Sequence, residues 1–244
     1  MVALIPARAG SRRIPGKNTK VLAGHPLIAY TIAAAKESGV FSQIMVCTDD
    51  QDAIDITKGL GESWFRRKAV SDDQRDVEWV RDAIDTWLAR PESFAILRPT
   101  SPFRTAETIR RAHRQFTRSE VHSIRAVELV TEHPGKMWEL RPSGCIAPLL
   151  EYKHPDGTPW HSSPTQTLPT YFRQNASLEM AWSYVVTAYG TISGSKVAPF
   201  FTEGYEGLDL NTETDWDRAE AIAAAHPEAL PRVDVAALSP LPTG

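Results

Sequence analysis

Four cations, Arg8, Arg12, Arg13 and Lys17, fall within ten residues of one another, interleaved with Gly10, Ser11 and Gly16. Glycine and serine let backbone N–H groups approach an anion closely, and guanidinium and ammonium groups pair with phosphate oxygens. The chemistry such a segment offers is capture of a phosphorylated ligand. An exposed Arg-rich turn with no ligand has the same composition, so the setting matters. An apolar strand over residues 2–5 runs straight into the segment, and residues 26–35 have the composition of a helix packed on a sheet. A strand-to-helix crossover is where nucleotide phosphates commonly bind.

Counting excludes two familiar phosphate loops. A Walker loop needs four residues between its first glycine and a Gly-Lys pair, followed by a hydroxyl residue for magnesium. Here five residues separate Gly10 from Gly16, Pro15 stiffens the approach, and Asn18 stands where the hydroxyl belongs. The G-x-G-x-x-G fingerprint is also absent, which argues against a nicotinamide or flavin enzyme.

The elements that must position this loop alternate through the first half of the chain. Residues 43–48 read as a buried strand ending at Asp49 and Asp50, and 51–60 as a helix stopped by Gly61. Residues 76–89 carry Val77, Val80, Ile84, Trp87 and Leu88 on one helical stripe. Residues 94–97 form a short apolar strand, and Thr105 caps a helix reaching about Phe116. Strands alternating with helices predict an α/β fold with a doubly wound, mostly parallel sheet and ligands beyond the carboxyl ends of its strands. The pattern changes over about 132–180, where prolines and glycines punctuate short extended pieces; this reads as an insertion in a single domain spanning 1–225. His133, His154 and His161 lie in it, at a spacing that matches no standard zinc pattern, so they are expected to be scattered surface histidines. Strands are expected around 181–186 and 196–201, then a last helix over 212–225. Residues 226–244, with four prolines, read as a poorly ordered tail.

With 27 Lys and Arg against 30 Asp and Glu, the net charge of −3 gives no general attraction to nucleic acid or anionic membrane. Cys47 and Cys145 are too few for a disulfide framework or a thiolate zinc site, which fits a reducing compartment. No apolar run approaches membrane-spanning length and no signal peptide is evident, so a cytoplasmic location is expected.

Three segments in order, 5–18 (IPARAGSRRIPGKN), 97–104 (LRPTSPFR) and 207–216 (GLDLNTETDW), resemble the acylneuraminate cytidylyltransferase family. A thinner likeness runs from residue 2 to about 222. The resemblance implies attack by an acceptor oxygen on the α-phosphorus of CTP, release of pyrophosphate, and a CMP conjugate of a sialic-acid-like nonulosonic acid. It implies that Arg8, Ser11, Arg12, Lys17 and Asn18 hold the triphosphate, with Arg8 and Lys17 stabilising charge. Cytosine is then read by the backbone of the first loop, around Ala7 and Gly10, and by an arginine after the third strand, Arg66 or Arg67. Asp209, placed at the end of an apolar strand, matches the first carboxylate of the family's Asp-x-Asp magnesium site, and Asn211 occupies the second position. Asn211 can supply an amide oxygen to Mg2+ or, with Thr212, cap the next helix.

On the acceptor side the chain departs from the family. Arg98 stands where many relatives carry Gln, and residues 175–179 read Asn-Ala-Ser-Leu-Glu in place of Asn-Gly-Ala-Ile-Tyr. Arg98 can take the acceptor's acidic group in a two-point grip or form a salt bridge with a nearby carboxylate; Asn175 falls on a family position that contacts the sugar acid. Two other readings stay open: a cytidylyltransferase acting on a phosphonate, and a catalytically silent nucleotide-binding relative. Family members often dimerise through the insertion, so a homodimer is expected, although the aromatic-rich stretch 132–180 could equally fold over its own domain as a lid.

Overall fold

The computed structural model describes residues 1–11, 13–66, 75–88 and 90–234. The chain divides into two compact units, one formed by Met1–Ala126 with the chain from Asn175 on, the other by Val127–Gln174.

The first unit is built on strands β1 (Val2–Ala7), β2 (Gln43–Thr48), β3 (Ser63–Arg66) and β4 (Ser93–Ile96), with β5 (Ser123–Leu129), β6 (Phe172–Trp182) and β7 (Val197–Phe201) completing a seven-stranded sheet. The strand order is β7-β5-β6-β4-β1-β2-β3. β1 pairs in parallel with β2 and β4, and β2 with β3, while β6 runs antiparallel to β4 with Glu179 opposite Ile96.

Alternation along β1 explains why both faces are covered. Ala3, Ile5 and Ala7 enter one apolar cluster with Ile28 and Ile32 of α1 (Leu27–Ser38), Ala53 and Ile56 of α2 (Gln51–Gly59), and Ile109 and Phe116 of α4 (Ala106–Arg118). Val2 and Leu4 point the other way, into a cluster with Val77 and Val80 of α3 (Asp76–Asp82). A strand buried on both faces reads as a continuous apolar run, as β1 does. A third cluster joins Ile14, Leu22, Leu27, Phe103 and Leu210 to Trp216, Ala219 and Ala223 of α6 (Glu213–Ala225). Ile14 and Leu210 are fully buried there. Each contributes about 1.5–3 kcal/mol by leaving water, and together they anchor the cationic loop and the Asp209 segment to one core.

Several sequence expectations need correction. The segment 76–89 is α-helical only to Asp82 and continues as a π-helical turn, Ala83–Trp87. The strand expected at 181–186 ends at Trp182, and Tyr184–Tyr189 forms a helix, α5, closed by left-handed Gly190. Asp209 does not end a strand: it follows a turn over residues 204–207. The segment expected to open a poorly ordered tail carries a short helical turn, Pro227–Ala229, and buries Leu230.

The second unit begins about five residues before the expected insertion and has little core of its own. It holds a two-stranded hairpin, Trp138–Leu140 with Ile146–Pro148, and three short 3-10 turns. His133 is not a surface residue: it is 5% exposed, accepts from the Gly135 N–H at Nδ1 and contacts the Pro169 carbonyl through Nε2, with Trp160 and Tyr171 edge-on to its ring. Among the described residues no group of three or more His, Cys, Asp or Glu is arranged to hold a metal ion. No helix among them is long and apolar enough to cross a membrane.

Candidate active site

The loops that follow β1, β2 and β4 lie at the carboxyl ends of those parallel strands, and short hydrogen bonds link them, in part through the segment 209–212. Left-handed backbone at Gly10 and Gly16 turns the first loop back on itself, a conformation glycine adopts without the Cβ penalty. Thr19 and Lys20 donate their N–H groups to the Gly16 carbonyl, and Asn18 donates from Nδ2 to the Arg8 carbonyl at 3.1 Å. Asn18 is buried, so its amide braces the loop from inside. The Ala9 N–H donates to Asp49 Oδ1 at 2.7 Å, and Thr48 Oγ1 donates to the Ala7 carbonyl, fastening the loop to the end of β2. Asp50 caps α2 through the N–H groups of Asp52 and Ala53.

The segment 209–212 is held just as firmly. Leu210 N–H donates to the Thr100 carbonyl at 2.9 Å, and the Leu210 carbonyl accepts from Lys17 Nζ at 2.7 Å. Asp215 Oδ2 accepts from the N–H groups of Asn211 and Thr212 and from Thr212 Oγ1. Thr212 caps α6 in return, a reciprocal box that satisfies orphan donors at a helix start. These bonds, with burial raising the cost of its charged form, leave the Asp215 carboxyl below the usual range.

Lys17, Arg8 and Asp209 converge. Burial of the Lys17 ammonium pushes its pKa below the ordinary lysine value; Asp209 and Asp215 oppose that shift, and Arg13 and Arg8 reinforce it. A crowd of cations around a partly desolvated ammonium is favourable only when anionic charge is brought in, and a triphosphate brings it. Asn211 Nδ2 donates to Asp209 Oδ2 at 2.6 Å, while Asp209 Oδ1 is buried without a hydrogen-bond partner among the described residues. An orphaned carboxylate oxygen beside an amide is a donor set for a hard cation, so the residues present fit magnesium.

The remaining sequence candidates are placed as follows. Arg66 donates to the Asp49 carbonyl and to Gln51 Oε1, two hydrogen bonds away from Ala9. Arg12 and Arg67 lie outside the described residues. Arg98 donates from Nη2 to Asp76 Oδ2 at 2.5 Å and to Glu179 Oε1 at 3.2 Å, which is the salt-bridge alternative. Asn175 uses its amide within the first unit, donating to Thr202 Oγ1 and accepting from Ser177 N–H. Asp76 and Arg125 were not singled out in the sequence, Asp49 stood there only as the end of a strand, and Glu179 and Arg104 only as the last residues of the segments 175–179 and 97–104. The Thr212-x-x-Asp215 spacing carried a signal, since a hydroxyl three residues ahead of a carboxylate marks a helix start. Asp49 carried none, because its role is a contact with backbone 40 residues away.

A family model described as "Cytidylyltransferase" matches residues 2–137. CMP-N,N'-diacetyllegionaminic acid synthase of Legionella pneumophila is 33% identical over 94% of this chain and 99% of its own length. N-acylneuraminate cytidylyltransferase of Escherichia coli is 34% identical over 62% of this chain, which corresponds to 35% of that longer protein. Among solved structures, a CMP:2-keto-3-deoxy-manno-octonic acid synthetase complexed with CTP superposes with a TM-score of 0.67 at 13% identity, covering 92% of this chain and 98% of the other. The 4-diphosphocytidyl-2C-methyl-D-erythritol synthase of Anaerococcus prevotii superposes at 0.62, also at 13% identity, covering 91% and 97%. Those two likenesses bear on the fold, and the sequence relationships bear on the chemistry: the chain belongs to the cytidylyltransferase family and is a nucleotidyltransferase.

Proposed function

We propose that the protein transfers CMP from CTP to a nonulosonic acid, releasing pyrophosphate. The observation that carries this reading is the gathering of Asp209, Arg13, Arg8 and Asp215 around the half-buried Lys17 ammonium, which the Leu210 carbonyl holds at 2.7 Å beyond the carboxyl edge of the sheet. Support for the acceptor class comes from the relatives' names, which cover legionaminic, acylneuraminic and pseudaminic acids, the first with end-to-end coverage.

In this reading the loop N–H groups, Ser11 and the cations Arg8, Arg12, Arg13 and Lys17 hold the triphosphate and meet the charge that builds on it as the bond to the leaving pyrophosphate breaks. Transfer of this type depends mostly on alignment and fixed electrostatics. The backbone at Ala7 and Gly10 lines the cytosine side. Of the two arginines considered for base reading, Arg66 is linked through Asp49 to Ala9, and Arg67 lies outside the described residues. Magnesium, when bound, would supply positive charge to the phosphate oxygens, held by Asp209 Oδ1 and the Asn211 side-chain oxygen. Asn211→Asp adds a carboxylate to that pair and is expected to lower the magnesium needed for half-maximal rate several-fold; an unchanged requirement would remove Asn211 from the metal's ligands.

A homodimer is supported by the second unit, whose hairpin exposes Leu140 (72%), Ile146 (59%) and Trp138 (46%). Monomer mass in sedimentation at micromolar concentration would refute it. Two free cysteines and the use of CTP support a cytoplasmic site of action.

The test is pyrophosphate release from CTP and magnesium with sialic, legionaminic, pseudaminic and simple phosphonic acids offered in turn. Release is expected with a nonulosonic acid. Release with phosphonic acids alone would move the acceptor class, and silence with every acid would leave a nucleotide-binding protein without transfer activity.

A further inference from the structure

Arg98 lies at the carboxyl end of β4, two residues before Thr100, whose carbonyl anchors the Asp209 segment. Its guanidinium belongs to a chain of alternating charges. Asp76 Oδ2 and Glu179 Oε1 both accept from Arg98 Nη2; Glu179 Oε2 accepts from Arg125 Nη2 at 2.7 Å, and Arg125 Nη2 also donates to Ser193 Oγ at 2.6 Å. Asp76 Oδ1 accepts from Trp79 Nε1 at 2.8 Å. Arg98 and Arg125 alternate with Asp76 and Glu179 along it.

The two ends of the chain differ in exposure. The Glu179 side chain is 8% exposed, while those of Arg98 and Asp76 are 26% and 33% exposed, so water and solutes reach the Asp76 end. Burial disfavours the Arg98 charge, and Asp76 with Glu179 more than restores it, holding the guanidinium above its ordinary pKa. A guanidinium offers two edges for two-point capture of an anion, Nη1 with Nη2 and Nη2 with Nε. Both edges contain Nη2, the nitrogen already engaged by the two carboxylates. An acidic ligand therefore takes Arg98 in two-point fashion only by displacing one of them.

Displacement strands neither carboxylate. Glu179 keeps Arg125, and Asp76 keeps the Trp79 N–H and its place in the first turn of α3, where the helix favours negative charge. We propose that Arg98 is a specificity-determining residue for the acidic acceptor, and that the acceptor's anionic group exchanges with Asp76 for its Nη2 edge. The exchange keeps one carboxylate on the Nη2 edge, while Asp76 stays charged beside it, so the site gains one negative charge that Asp76 opposes. Asp76 is thus a built-in competitor that rejects ligands lacking a strong anionic group, a repulsive device of the kind that sharpens specificity. This rests on the proposed transfer to an acidic acceptor.

The test combines binding with turnover. Calorimetric titration of the CTP-free protein with sialic, legionaminic and pseudaminic acids is expected to give about 10-fold tighter binding in Asp76→Asn than in wild type. Arg98→Gln should bind the same acid at least 10-fold more weakly. In steady state, both changes should appear in the acceptor KM, with the CTP KM unmoved. Equal acceptor affinity in wild type and Asp76→Asn, tighter binding in Arg98→Gln, or no binding of any of the acids to either protein would overturn the exchange. A purely bracing Arg98 would lower the melting temperature of Arg98→Gln and Arg98→Lys alike while leaving both KM values alone. Failure of the transfer reading looks different: the acids bind, with or without the Asp76 effect, and no pyrophosphate appears.

Discussion

Lys17→Ala is expected to lower kcat/KM for CTP by about 100-fold, the cost of removing one preorganised group that meets developing charge. The fold should survive. Lys17 is half-buried at a loop, its ammonium donates to the Leu210 carbonyl, and loss of such a bond costs about 1 kcal/mol. A near-native thermal transition with a collapsed rate would satisfy the expectation, and normal CTP turnover would remove the loop from the reaction. The pH profile gives a second reading. Burial lowers the Lys17 pKa, with Arg13 and Arg8 adding to it and Asp209 and Asp215 opposing it, so the ammonium is lost as pH rises through a value below that of an ordinary lysine. The alkaline fall in kcat/KM should therefore begin earlier than a model lysine would give. Lys17→Arg, which keeps its charge across that range, should push the fall to higher pH even if its rate is lower.

The parts of the fold that depend on neighbouring residues were legible before any coordinates. The apolar run from Val2 to Ile5 reads as a strand, as it is, and Thr105 stands at the start of α4 as a cap, accepting from the Thr108 N–H. The site's first loop was legible for the same reason, since its cations and glycines lie within a few positions of each other. Asp209 reads in the sequence as the end of an apolar strand. Yet Leu210 is apolar for packing against Ile14 and Trp216, and its N–H serves Thr100 in place of a sheet ladder. Val185 and Val186 suggested a strand, whereas Ser183 N–H bonds to the Glu92 carbonyl and Gly190 closes a helix. The Asp76, Arg98, Glu179 and Arg125 chain left no local trace, because its links span 22, 81 and 54 residues.

The largest effect on stability is expected at Arg104, which is 1% exposed and has no carboxylate partner among the described residues. Its guanidinium donates to the Arg98 carbonyl at 3.2 Å, to the Ser177 carbonyl, and to Thr31 Oγ1 at 2.9 Å, joining the loop after β4, strand β6 and helix α1. Burial alone pulls its pKa down to about 9, so it remains charged at neutral pH. Arg104→Leu removes that costly charge, which is a gain. Against it stand the Ser177 carbonyl and the Thr31 hydroxyl, buried acceptors that lose their Arg104 donor at about 1–3 kcal/mol each, and a cavity, since leucine is shorter; the Arg98 carbonyl keeps the Ser101 N–H. The losses outweigh the gain by about 3 kcal/mol, which lowers the melting temperature by about 6–12 °C for a chain of this size. Arg104→Lys separates the contributions: it keeps the buried charge and serves fewer acceptors, so it should melt at least as low as Arg104→Leu. If lysine instead restored wild-type stability, the charge itself would be the stabilising element, and the three-way hydrogen-bond clamp would lose its place as the reason an unpaired arginine sits in this core.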